Sequence, residues 1–177
     1  SGAYNDNLSN LISELKKEVA QCKECFRFFI KQDKARTSTT CDICSNTNTD
    51  TTTLMVVEKD SDLESIKKSR VYNGKYFILG GLVPIVEKTT KSRIRIEELK
   101  QALSRLVGDP PERREVILAF SLNPQGDHTD SYVRDQIKDV TQKSGIKISS
   151  LGRGLSTGTE LEYSDNDTLK NALKNRQ

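Results

Sequence analysis

Leu54-Met55-Val56-Val57-Glu58-Lys59-Asp60-Ser61-Asp62-Leu63-Glu64 sets a short apolar run directly before a polar stretch that opens a helix, and this junction decides the fold. Four consecutive apolar residues suit a strand buried on both faces, as parallel sheets require. Ser61, with Glu64 three residues later, has the spacing of a capping box and predicts a helix over 61–68. Downstream the same alternation repeats. A strand is expected over 75–79, ended by Gly80 and Gly81, then a helix on Ile96, Leu99, Leu103 and Leu106, stopped by Gly108, Pro110 and Pro111. A strand over 115–120 follows, then a helix with Val133, Ile137 and Val140 on one face, a last strand at 146–148, and a closing helix from Thr168. Strands separated by helices need crossover connections, so the expected class is α/β, a mostly parallel sheet flanked by helices.

Upstream the character changes. Residues 46–53 are wholly Asn, Thr and Asp, a composition that favours local side-chain hydrogen bonding and reads as a linker, with a boundary near residue 50. Leu8, Leu11, Ile12, Leu15 and Val19 fall on one helical face. Ser1, Gly2 and Ala3 read as the remnant of a cleaved tag. Four units are expected: a linking helix over 1–20, a small finger over 21–50, the α/β domain over 51–150 and a C-terminal arm over 151–177. With 177 residues, 34% of them hydrophobic, the chain can bury one good core and a satellite. A formal charge of +3 is only mildly basic. No apolar run approaches the roughly 18 to 20 residues of a membrane helix, and no signal peptide opens the chain, so a soluble, cytoplasmic protein is expected.

All four cysteines occur as Cys22-x2-Cys25 and Cys41-x2-Cys44, separated by fifteen residues. A two-residue gap lets both sulfurs of one turn face the same point, and two such turns give the four-thiolate shell of a structural zinc site. Two disulfides or four free thiols are the alternative; a redox dithiol would need only one pair. The segment between the knuckles has little apolar periodicity, so the ion is expected to supply the folding free energy of the finger, one zinc per chain, independently of the α/β core. A closed shell has no open position for substrate, so the zinc is not expected to be catalytic. Residues 14–36 carry seven basic and four acidic side chains. Lys23, Arg27, Lys31, Lys34 and Arg36 are therefore candidates for phosphate contact, with a solvated face as the alternative.

Glu58 and the loop 121–127 both follow strands, at the carboxyl ends where α/β sheets usually place function. Val56-Val57-Glu58 with Asp62-Leu63, the run Tyr72-Asn73-Gly74-Lys75-Tyr76-Phe77-Ile78-Leu79-Gly80-Gly81, Ile117-Leu118-Ala119 and Gly154-Leu155-Ser156-Thr157-Gly158-Thr159-Glu160-Leu161-Glu162-Tyr163, together with the cysteine knuckles, closely resemble the RecR family. The resemblance covers almost everything from residue 20 onward. It implies a helix-hairpin-helix DNA-binding module, a zinc finger, a Toprim domain and an exchanged arm. The first of these is not matched, so residues 8–19 read as the segment leaving it, in a shortened chain or a reduced relative. The resemblance also implies ring-shaped homo-oligomers that clamp DNA and, with RecO-type and sometimes RecF-type proteins, help load a recombinase.

Catalytic Toprim domains hold magnesium with a strand-end glutamate and an Asp-x-Asp pair. Here Glu58 matches the glutamate, but Ser121 and Asn123 stand where the aspartates would be. No enzymatic activity is expected; a metal-dependent phosphodiester enzyme is the alternative. Where the family has Glu-Gly-Glu, associated with partner docking, this chain has Gln125-Gly126-Asp127. Glu58, Gln125 and Asp127 are thus the partner-binding candidates. His128 reads as a solvated or capping residue, and Gly152, Gly154 and Gly158 as the turn of the arm, since no Gly-Lys-Ser/Thr core accompanies them.

Overall fold

The structure is a computed structural model describing residues 2–31, 39–85, 94–107, 113–152, 154–155, 158 and 160–174. The apolar run at 54–57 lies in β3 (Asp50–Val57), the second strand of a four-stranded parallel sheet ordered β4-β3-β5-β6. Its partners are β4 (Gly74–Ile78) and β5 (Glu115–Ala119), with β6 (Lys147–Ser150) beyond. Val56 pairs with Phe77 on one side and Leu118 on the other. Because β3 has a strand on each edge and helices on each face, all of Leu54, Met55, Val56 and Val57 are buried.

Helices α3 (Asp60–Ser69), α4 (Ile96–Leu103) and α5 (Pro124–Ser144) make the crossovers. The period-two alternation of side chains divides the core. Leu54, Val56, Phe77, Leu79, Val116 and Leu118 pack with Leu99 and Leu103 of α4 and Val133 and Ile137 of α5. On the other face, Met55, Val57, Tyr76 and Ile78 pack with Leu63 of α3 and with Cys22, Cys25 and Cys41.

The amino-terminal part comprises α1 (Gly2–Glu18), an antiparallel hairpin of β1 (Val19–Gln21) and β2 (Phe28–Ile30), and the short α2 (Asp42–Ser45). The apolar stripe of α1 forms from Leu8 to Leu15, all of it exposed, but the helix ends at Glu18 and Val19 instead opens β1, where it pairs with Ile30. A 3-10 turn at Leu161–Tyr163 and α6 (Asn166–Lys174) lie in the C-terminal region.

Three local expectations need correction. The threonine run is not all linker: from Asp50 on it is strand, because β-branched Thr tolerates extended backbone and Gly74 and Glu115 supply pairing partners. Asp50 steadies this entry by accepting the Thr52 N–H at 2.8 Å. Helix α3 begins before Ser61; its opening turn is closed by the Asp62 carboxylate, which accepts the Lys59 N–H at 3.3 Å. Helix α4 ends at Leu103, and Leu106 is reached by a turn in which its N–H donates to the Leu103 carbonyl. The expected stop at Gly108, Pro110 and Pro111 lies outside the described residues.

Candidate metal centre and strand-end loops

The hairpin β1–β2 carries the first cysteine pair in its turn. The Phe26 N–H donates to the Cys22 carbonyl at 3.0 Å and the Cys22 N–H to the Arg27 carbonyl at 2.9 Å. Phe26 takes the left-handed conformation, φ 64°, to complete the reversal. The second pair is carried by α2, with Cys41 at its N-cap. The two knuckles face each other: the Cys41 N–H points to the Cys22 sulfur at 3.4 Å.

All four Sγ atoms lie within 4.8 Å of one another, and Cys25 and Cys41 approach to 3.6 Å. A tetrahedral zinc with bonds near 2.3 Å has sulfur–sulfur edges of about 3.8 Å, so the sulfurs fit a metal ion of zinc's size. They are too far apart for the roughly 2.05 Å of a disulfide. Cys22, Cys25 and Cys41 are fully buried and Cys44 half-buried. The four thiols oppose one another's ionisation. Hydrogen bonding with Cys25 draws Cys22 far below its ordinary value, while Cys22 pushes Cys25 and Cys44 far above theirs. A divalent ion removes that conflict by favouring every thiolate. Among the described residues this is the one metal-competent group of His, Cys, Asp and Glu.

The finger packs directly against the α/β core. The Cys25 carbonyl accepts the Ile78 N–H at 2.9 Å, and Lys75 Nζ donates to the Cys44 carbonyl at 3.0 Å. Phe26 meets Phe77 edge-on at 5.4 Å between centroids, and the Arg95 guanidinium lies 5.2 Å from the Phe26 centroid. The Phe28 N–H donates to Asp60 at 2.8 Å. Three of the cysteines therefore belong to the same buried cluster as Met55, Val57 and Leu63.

Of the phosphate-contact candidates, Lys23 is exposed, while Lys31 donates to the Lys17 carbonyl at 3.1 Å. Lys34 and Arg36 lie outside the described residues. Arg27 is committed elsewhere: its Nη1 donates to Asp42 at 3.0 Å and its Nη2 to Glu64 at 2.7 Å, with its side chain only 13% exposed. Burial works against its charge, but Asp42 and Glu64 more than offset this and hold it above its ordinary value.

At the carboxyl end of the sheet, Glu58 follows β3 half-buried, its carbonyl accepting the Gly80 N–H at 3.0 Å. The neighbouring carboxylates are engaged: Asp60 by the finger and Asp62 by the first turn of α3. After β5, Asn123 is the N-cap of α5; its Oδ1 accepts the Gly126 N–H at 2.8 Å. A Cβ on Gly126 would collide with the Ser121 carbonyl, so glycine is required where the loop folds onto the helix. Gln125, Asp127 and His128 are exposed on this first turn. Thr129 was not singled out by the sequence, yet it is buried, donating to the Gln125 carbonyl at 2.7 Å and accepting the Val83 N–H at 2.9 Å. Asp130 was also missed; its 2.5 Å ion pair with Arg134 has i,i+4 spacing, the signal that could have found it. The hollow between Ser121, Asp127, Asp130 and Ser150 is about 10 Å³, room for at most one water.

Among the described residues no helix is long and apolar enough to cross a membrane. Residues 52–152 match the Toprim domain family, and residues 154–177 match the family described as RecR, C-terminal. The recombination protein RecR of Bacteroides thetaiotaomicron is 35% identical over 94% of this chain and 74% of its own length. That of Dehalococcoides mccartyi is 36% identical over 96% and 76%, and that of Lactobacillus acidophilus 33% over 97% and 78%.

Proposed function

Because the chain belongs to the RecR family of recombination proteins, we propose that it is a non-enzymatic DNA-binding clamp and recombination mediator in DNA repair, acting in the cytoplasm. Cys22, Cys25, Cys41 and Cys44 would hold one structural zinc per chain, whose four-thiolate shell leaves no position for substrate. The division into a linking helix (1–20), finger (21–50), Toprim-like domain (51–150) and arm (151–177) is part of the same proposal.

One observation carries the non-enzymatic reading: the residues that would complete a magnesium site beside Glu58 are neutral or engaged in the fold. Magnesium prefers several oxygen ligands in octahedral array, and phosphoryl chemistry needs them to converge on one point. Ser121 is neutral, Asn123 caps α5, Asp60 binds the finger backbone and Asp62 closes α3, so of the strand-end carboxylates Glu58 and Asp127 remain, fewer than such a site needs. A metal-dependent phosphodiester enzyme is disfavoured for that reason. Glu58, Gln125 and Asp127, at neighbouring strand ends, are instead proposed to receive RecO-like and possibly RecF-like partners. DNA contact is assigned to Lys23 and Lys31, with Lys34 and Arg36, and self-association to the arm.

The test pairs binding with turnover. The purified chain is incubated with supercoiled and single-stranded DNA in magnesium or manganese, and retention is measured across a salt series. Salt-sensitive binding without cleavage is expected, since phosphate contacts release counterions. Divalent-dependent nicking abolished by Glu58→Gln would replace the clamp reading with an enzyme.

A further inference from the structure

Arg27 stands where the two cysteine knuckles and α3 meet, and we propose that it is the positioning residue of the metal centre: its guanidinium fixes the spacing of the two knuckles. Arg27 lies two residues after Cys25, and Asp42 directly follows Cys41, so their 3.0 Å ion pair joins one knuckle to the other. The other arm of the fork reaches Glu64 of α3 at 2.7 Å. Lys67, one turn further along α3, holds the second oxygen of Asp42 at 3.0 Å. The Arg27 carbonyl also closes the first knuckle by accepting the Cys22 N–H at 2.9 Å. Side chain and backbone thus brace the same four sulfurs.

Arg27, its side chain 13% exposed, is neutralised by the two carboxylates it holds, so it acts on the metal centre through geometry. Its planar fork also matches two carboxylates in directions a lysine cannot serve together. Partners of this kind around a metal's ligands typically contribute about 10- to 100-fold in metal affinity. This role excludes the phosphate contact that the basic run suggests for Arg27, since both ends of the fork are occupied.

The proposal rests on the zinc reading of the tetrad. Zinc affinity of the full chain is measured by chelator competition, with cobalt(II)-thiolate absorption reporting the geometry of the shell. Arg27→Gln is expected to weaken zinc binding about 10- to 100-fold, and Arg27→Lys to recover only part of that loss. Asp42→Asn should weaken binding in the same direction, and its effect should not add to that of Arg27→Gln. If Arg27→Gln does not fold, Asp42→Asn decides alone, its carboxylate being 51% exposed and its replacement mild. A residue that only stabilised the fold would lower the melting temperature of metal-free and loaded protein alike, leaving zinc affinity unchanged. That result overturns the proposal. Failure of the parent chain to bind zinc at all overturns the tetrad assignment itself.

Discussion

Asn123 reads in the sequence as standing where an Asp-x-Asp pair would place an aspartate, yet its side chain caps a helix, and these two roles respond oppositely to substitution. Asn123→Ala removes the acceptor of the 2.8 Å bond and leaves the N–H of buried Gly126 without it. Loss of an N-cap costs about 0.5–2 kcal/mol, and because this donor is buried the upper end, about 2 kcal/mol, applies. For a chain of this size each kcal/mol moves the melting temperature by about 2–4 °C, so a fall of about 4–8 °C is expected. Asn123→Asp keeps an acceptor of the same shape and adds negative charge at the N-terminus of α5, a gain of about 0.3–1 kcal/mol. It should therefore melt slightly higher than the parent. It should also remain unable to nick DNA, because the new carboxylate is held by the Gly126 N–H and Ser121 stays neutral. Calorimetry and a supercoiled-DNA assay in magnesium read both properties. Unchanged melting in Asn123→Ala, together with nicking by Asn123→Asp, would show a lapsed metal ligand rather than a cap.

Elemental analysis should find one zinc per chain, and Cys41→Ser should lower the midpoint of a single unfolding transition, since the cysteines share a core with β3 and α3; two separate transitions would contradict that. Gly126→Ala should destabilise the chain by about 1–3 kcal/mol through collision with the Ser121 carbonyl. Gly152→Ala, where nothing lies within 4 Å, should stay within about 0.5 kcal/mol, and equal effects at both sites would refute the packing argument. Asp50 is held below the ordinary carboxylate range chiefly by the Thr52 N–H. Its contribution to stability is present above about pH 4 and is lost as pH falls through its lowered value, so the difference between parent and Asp50→Asn should shrink in acid. A difference that does not change with pH would remove Asp50 from that role.

The sheet and the tetrad were legible because their signals are local. An apolar run bounded by a capping sequence needs no partner to be recognised, and Cys-x2-Cys sets its own geometry. Arg27 shows where local reading stops. In a count of charges it joins a basic run, but its carboxylates lie fifteen and thirty-seven positions away, so only folding reveals that it is taken. The threonines of β3 are misleading for the same reason: their pairing comes from Gly74 and Glu115. Asp60 opens α3, but its bond to the Phe28 N–H appears only once β2 is laid beside it. Ser121 and Asn123 were legible as departures from a catalytic pattern, but the capping bond that gives Asn123 other work was not.

The bond from the Ile78 N–H to the Cys25 carbonyl also has a bearing on how the protein keeps to itself. Strand β4 ends the sheet, and an uncovered terminal strand is a template on which other chains can add strands and aggregate. The first cysteine turn lies across that edge at Ile78, so an ion held by the four cysteines would also keep that margin of the sheet closed. Stripping such a metal would then do more than loosen a finger: it would open an edge on which further strands could add.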